Sequence, residues 1–160
     1  MRFIHVTQGY HPDLAGGGYR YAREVACLLA NRRHECHVIT KNPVNRLPGN
    51  ERVDGVEVHR VPSVAGGFWR NWPAINASAR RTLSGLVEKA PGPTLVVAHH
   101  AYFEPAFRGT RRVVFFQGPW AHEHRIACRA RARSLARRVL DEMVAKMLHR
   151  YERSEEHTSE

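Results

Sequence analysis

Three places in this chain carry residues whose types and spacing could do chemistry. The first is the run Gly16-Gly17-Gly18. Backbone without side chains lets a ligand approach closely, and the amides that open a helix favour an anion, so this run suits a phosphate or a sugar. A loop that needs glycine only for its turns explains it equally well. The second and third places are His99-His100-Ala101-Tyr102 and Gln117-Gly118-Pro119-Trp120-Ala121, with His122 and His124 close behind. Histidine there can hydrogen-bond a hydroxyl or, when protonated, stabilise a phosphate oxygen. Gly118-Pro119 fixes a sharp turn. For most of the 11 histidines a surface or satisfied core position is the plainer account. None of them shows an ordered metal-ligand spacing, so no metal is expected.

Two further groups weigh less. Phe68, Trp69 and Trp72 could stack on a sugar or dip into a membrane, or simply plug a loop. Arg125, Arg129, Arg131, Arg133, Arg137 and Arg138 could meet phosphates without sequence preference, but such a run is more often a solvated helix face, and no nucleic-acid motif accompanies it. A dinucleotide site is disfavoured. The glycines do not form G-x-G-x-x-G, and the strand after them ends in Thr40-Lys41-Asn42 without the acidic residue that would hold a ribose.

The elements that must position these residues follow from apolar spacing. Arg2 to Thr7 reads as a strand, and Gln8 to Gly18 as a loop. Tyr21, Ala22, Val25, Ala26, Leu28 and Leu29 recur on one helical face, and Glu35 to Thr40 reads as a second strand. Strand, helix and strand within about forty residues make a right-handed βαβ crossover with parallel strands. Val53 to Val61 reads as a third, half-exposed strand with a tight turn at Asp54-Gly55. The segment from Pro62 to Pro73 is too rich in glycine for regular structure. Ile75, Ala79, Leu83, Leu86 and Val87 mark a helix that Pro91-Gly92-Pro93 ends. Thr94 to Ala98 and Val113 to Phe116 are the apolar runs that strands buried on both faces require. Residues 128 to 150 carry an amphipathic pattern through Leu135, Val139, Leu140, Met143, Val144, Met147 and Leu148. The alternation predicts an α/β fold, a doubly wound, mostly parallel, Rossmann-like sheet with ligands beyond the carboxyl ends of its strands.

Composition bounds the class. The 160 residues are 42% hydrophobic without a long apolar run, which excludes a disordered tail, a fibre or a membrane span. The net charge of +10 makes phosphate, anionic lipid or nucleic acid natural partners to test, although only Lys41, Lys89 and Lys146 are lysines and a GC-rich gene would produce the arginines unselected. Cys27, Cys36 and Cys128 form no Cys-x-x-Cys pair, and the apolar start Phe3 to Val6 is too short for a secretion signal. A cytoplasmic protein is expected, with peripheral contact at the inner membrane face allowed. Arg153 to Glu160 matches the conceptual translation of a common sequencing-library adapter, so 1–152 is expected to be the biological segment, incomplete at its C-terminus, with 153–160 an artefactual tail.

Several of these pieces fit one family together. Met1 to Gln8, the Gly16-Gly17-Gly18 loop with its helix, His34 to Thr40, Val53 to Pro62, and Gly118 to Ala121 after Val113 to Phe116 resemble the N-terminal half of family four glycosyltransferases of GT-B fold. The resemblance implies an acceptor-side domain facing a second Rossmann-like domain that binds the nucleotide-sugar donor. It also implies transfer to a hydroxyl acceptor, sugar or lipid-linked, with retention of configuration and with no cofactor or required metal. Carried onto this chain, Gly16, Gly17, Gly18 and Gly118 would bind substrate, Gly17 and Gly18 approaching donor phosphate or acceptor. His99 would sit in the cleft. Gln117 stands where the family usually shows histidine; it can hydrogen-bond a sugar hydroxyl but carries no proton or charge. Arg33 stands where the family commonly has the glycine that ends the first helix. As half of a cleft, the chain is expected to be inactive alone. The competing expectation is a stand-alone basic module for anionic membrane or nucleic acid.

Overall fold

The computed structural model describes residues 1–43, 47–62, 68–99, 111–115, 143 and 146, with backbone alone for 68–72. The chain divides into two units, Met1–Phe116 and Gln117–Glu160. Of the second unit, Met143 and Lys146 are helical. The remainder of the amphipathic segment, the arginine run, His100, Tyr102, Gln117, Gly118, His122, His124, Cys128 and the tail 153–160 lie outside the described residues.

The first unit is built from β1 (Arg2–Thr7), α1 (Gly17–Asn31), β2 (Glu35–Lys41), β3 (Asn50–Val53), β4 (Val56–Val61), α2 (Phe68–Glu88), β5 (Thr94–Ala98) and β6 (Arg112–Val114). They form one six-stranded sheet in the order β3-β4-β2-β1-β5-β6. All neighbours pair in parallel except β3 and β4. The expected α/β Rossmann-like class is what the sheet shows.

Strand alternation divides the core between the two faces. Ile4, Val6, Ile39, Val61 and Val96 pack against Ile75, Ala79 and Leu83 of α2. Cys36, Val38, Val56 and Val58 pack with Tyr10 and with Ala26 of α1, Phe3 joining them. His5 and Thr7, in phase with Phe3, therefore belong to the α1 face. Helices on both faces make the sheet doubly wound.

Four expectations are corrected. On α1 only Ala22 and Ala26 are fully buried, while Tyr21 and Leu28 are 40% and 52% exposed. The small residues let the helix lie close to the sheet and turn the larger ones outward. The third strand is instead a hairpin: β3 starts at Asn50, and Asp54 and Gly55, both with positive φ (50° and 82°), form the two-residue turn into β4. The glycine-rich segment gives way to helix at Phe68, five residues before Pro73, which removes one backbone donor near the start of α2 without stopping it. Finally, β6 is three residues long and outermost among the described strands, with Val113 42% exposed rather than buried on both faces.

Helix α1 ends in a Schellman arrangement. The His34 amide bonds the Leu29 carbonyl at 3.2 Å and the Arg33 amide bonds Ala30 at 2.9 Å, with Arg33 at φ 63°. A residue at that place must be left-handed, so the arginine bears the strain that a glycine would avoid.

Candidate functional site

The chain leaves β1 toward β2 on one side and enters β5 on the other, so the order of strands reverses between β1 and β5. Crevices form beyond the carboxyl ends of strands at such a point. The residues there are the β1–α1 loop (8–16), the first turn of α1, and His99, which follows β5 directly and continues the ladder through its amide to the Val6 carbonyl at 2.9 Å.

The β1–α1 loop is held from several directions. Thr7 Oγ1 donates to the Gly9 carbonyl at 2.7 Å, and the Leu14 amide bonds the Tyr10 carbonyl at 3.0 Å. Tyr10, 1% exposed, is driven into the core on the α1 face, and burial pushes its phenol pKa up. Gly9 lies at a close approach: a Cβ there would sit 2.8 Å from Leu14 Cδ1 and 3.0 Å from the Tyr19 ring, so those side chains would have to shift. Asp13 receives the Arg60 guanidinium in bidentate fashion, Nε to Oδ2 at 2.6 Å and Nη2 to Oδ1 at 3.1 Å. Those two side chains are 6% and 3% exposed. The remaining arm of Arg60, Nη1, reaches Glu51 Oε2 at 2.8 Å and the Pro48 carbonyl at 3.1 Å. A buried charge survives only when paired and hydrogen-bonded, and here the pairing clamps the loop to β4.

The loop delivers a helix start with an uncompensated positive end. Gly16 caps α1 without a side-chain hydrogen bond, and no acidic residue lies in the first turn. The leading amides, those of Gly17 and Gly18 among them, precede any carbonyl to which a helix could bond them. A Cβ at Gly16 would press on the Tyr19 ring at 3.0 Å, whereas at Gly17 it would meet nothing within 4 Å. Gly17 thus borders open space at the end of the helix dipole.

His99 is fully buried. Its Nε2 lies 2.9 Å from Nδ1 of His5, itself fully buried on β1. The rings are 18° from coplanar with centroids 5.2 Å apart, the separation that two imidazoles joined edge to edge by one N–H···N bond require. Burial pushes the His5 pKa down to about 4, so His5 is neutral near pH 7. The Phe115 ring lies nearly parallel to His99 at 5.5 Å, and Tyr21, one turn into α1, stands edge-on to both, at 6.0 Å from His99 and 5.7 Å from Phe115. The Tyr21 contact brings the opening turns of α1 up to the end of β5.

A second histidine pair lies on the α2 face. His37 Nδ1 is 3.1 Å from His59 Nε2, His37 Nε2 is 3.1 Å from Glu35, and His59 Nδ1 is 2.8 Å from Asn50 Oδ1. Arg2 joins this line by bonding Glu35 at 2.6 Å and the Leu86 carbonyl. It ties β1, β2, β4 and β3 together across the sheet rather than at its ligand-facing end. Among the described residues no group of three or more His, Cys, Asp or Glu could hold a metal ion.

Of the residues expected from the sequence, Gly16, Gly17, Gly18 and His99 thus stand at the same end of the sheet, beyond adjacent strands. Gln117 and Gly118 lie outside the described residues. Sequence reasoning missed His5, Asp13, Arg60, Tyr21 and Phe115. No local signal marks them: in Ile4-His5-Val6 and Val58-His59-Arg60-Val61 the polar side chains read as facing water.

The sequence from residue 16 to residue 149 matches the family described as a glycosyl transferase 4-like domain. No curated protein matches the chain.

Proposed function

We propose, since the chain belongs to the glycosyl transferase 4-like family, that it is the acceptor-side half of an enzyme that moves a sugar from a nucleotide-sugar to a hydroxyl acceptor, with retention of configuration and without a metal. The observation that carries this reading is the meeting of the glycine-headed α1 with the buried His99 at the β1/β5 reversal. In that reading Gly16, Gly17 and Gly18 bring amides and the positive helix end to a substrate oxygen or phosphate. His99 hydrogen-bonds a substrate oxygen, and the family resemblance implies substrate-binding roles for Gln117 and Gly118 as well. Most donor contacts belong to a further Rossmann-like domain outside these 160 residues, so this chain alone does not turn over. Placing both substrates in one closed cleft is what lowers the barrier, and one wall does not enclose them. The acceptor is a sugar or a lipid-linked hydroxyl. A lipid-linked acceptor would be met at the cytoplasmic surface of the membrane; among the described residues no helix is long and apolar enough to cross one.

The test is transfer of labelled sugar from UDP-glucose or GDP-mannose to a panel of glycosides and lipid-linked sugars. It is run on residues 1–160 and on the same chain joined to the domain that its gene encodes next. Transfer by the joined protein and none by the chain alone is expected. Transfer by the chain alone would overturn the division of labour. Absence of transfer by the joined protein, together with salt-sensitive binding to anionic vesicles that survives Gly17→Leu, would replace this function with that of a basic surface-binding module.

A further inference from the structure

Asp13 stands three residues before Gly16, and its carboxylate takes two bonds from the Arg60 guanidinium, at 2.6 and 3.1 Å. Arg60 is itself held. Its amide bonds the Gly49 carbonyl at 2.6 Å, its backbone is in register with Thr40 of β2, and Nη1 reaches Glu51 and the Pro48 carbonyl. The fork cannot slide or turn without breaking several of these bonds. An ion pair so deeply buried is a poor device for stability, because apolar side chains of matching volume serve as well or better. What they cannot reproduce is a fixed distance and a fixed plane, which two parallel N–H···O bonds impose together. Three residues of chain span at most about 11 Å, so fixing Asp13 confines Gly16 and the amides that follow it. Those amides need an outside hold: Gly16 caps α1 without a side-chain bond, a Cβ at Gly17 would meet nothing within 4 Å, and glycine backbone is the freest to move.

We propose that Asp13 and Arg60 are positioning residues that hold the Gly16, Gly17 and Gly18 amides preorganised for a substrate oxygen or phosphate, and that the pair serves this placement rather than the stability of the sheet. The inference rests on the glycosyltransferase reading for what those amides bind, but not for what holds them. Amides already aimed at an oxygen need no reorganisation when it arrives. Neither side chain has to touch substrate, and at 6% and 3% exposure both are withdrawn from it. Because Arg60 sits on β4, the loop that leaves β1 is referenced across β2 to a third strand. Breaking the pair is costly, since it strands a buried charge, but replacing it whole is not. Stability and placement can therefore be separated.

The experiment measures 15N backbone order parameters over residues 13–18 of the 160-residue chain, with no substrate present. Wild type is compared with the double variant Arg60→Met, Asp13→Leu and with Arg60→Lys, which keeps the charge but loses the fork. Wild type is expected near about 0.85, the value of rigid backbone, and both variants below about 0.6 at Gly16, Gly17 and Gly18. Val38 and Val58 stay rigid in all three, and the double variant unfolds in urea close to wild type. In the protein joined to its donor-binding domain, the double variant loses about a hundredfold in kcat/KM, through kcat more than KM. A folded double variant with wild-type order at the three glycines overturns the proposal. So does an Arg60→Lys loop as rigid as wild type, a wild-type loop already below about 0.6, or a loosened loop with undiminished transfer. Should the double variant fail to fold, the wild-type and Arg60→Lys order parameters decide. If the wild-type joined protein moves no sugar, the transfer reading fails while the order parameters still test the hold. If transfer proceeds and loop order ignores the pair, the positioning role alone falls.

Discussion

The clamp between Arg60 and Asp13 gives the sharpest test of how the glycine loop is held. Both side chains are withdrawn from water, at 3% and 6% exposure, and the pair closes over 47 residues of sequence. Replacing Arg60 by methionine keeps most of the apolar stem and leaves the Asp13 carboxylate buried without its partner. Breaking a buried pair in this way costs about 3–5 kcal/mol. Loss of the third arm adds little, since Glu51 is 43% exposed and returns to water. For a chain of this size the loss corresponds to roughly 10–15 °C in melting temperature. Asp13→Asn retains one acceptor oxygen and leaves Glu51 to balance the guanidinium, so about half of that loss is expected. The double variant Arg60→Met, Asp13→Leu replaces the pair by apolar side chains and recovers most of the stability, because matched apolar substitutes for buried ion pairs are often neutral. Urea denaturation followed by circular dichroism measures all three. An Arg60→Met variant within about 1 kcal/mol of wild type would show that Asp13 is solvated and that the loop is not clamped.

Three other outcomes follow from single residues. Gly17→Leu places its side chain in open space, so stability should change by no more than about 0.5 kcal/mol, while transfer by the domain-complete protein is lost because the amide ligands are covered. Arg33→Gly removes a left-handed arginine at the α1 terminus and should stabilise the chain by about 1 kcal/mol in the same urea assay; a destabilised variant would refute the Schellman assignment. His5, with its pKa lowered by burial from 6.5 to about 4, binds fewer protons folded than unfolded between those values, so the stability it confers is complete above about pH 6.5 and falls as pH drops toward 4. The total is roughly 3 kcal/mol. His59, lowered by burial first and by His37 second, steepens the same acid limb. Stability curves against pH should show this limb in wild type and a shallower one in His5→Phe, and equal slopes would contradict the assignment.

The parts of the fold that were legible are those in which apolar spacing and burial coincide. β1, β2 and β5 are short apolar runs between turn signals, and α2 from Ile75 onward shows its buried stripe directly. Arg33 was legible as a strained helix end, and Asp54-Gly55 as a turn. β3 was not, because Asn50, Glu51 and Arg52 are exposed on an edge and carry no apolar alternation. Tyr21 and Leu28 were misplaced because apolar residues on a helix read as buried whether or not the sheet needs them. Of the site, the glycines and His99 could be found because they follow strand ends. His5 and Arg60 could not, since a polar side chain in a strand reads as facing water. What makes them structural is a partner 94 residues away for His5 and 47 residues away for Arg60, and pairing across such distances leaves no local pattern.

The central claim, that substrate binds at the reversal between β1 and β5, is tested most directly by hydrogen–deuterium exchange on the protein joined to its donor-binding domain, with and without UDP-glucose or GDP-mannose. The account predicts ligand-dependent protection confined to the first unit's segments 8–20 and 95–99, with the β3–β4 hairpin unchanged. Sugar transfer accompanied by protection elsewhere in Met1–Phe116, and none in those two segments, would contradict it.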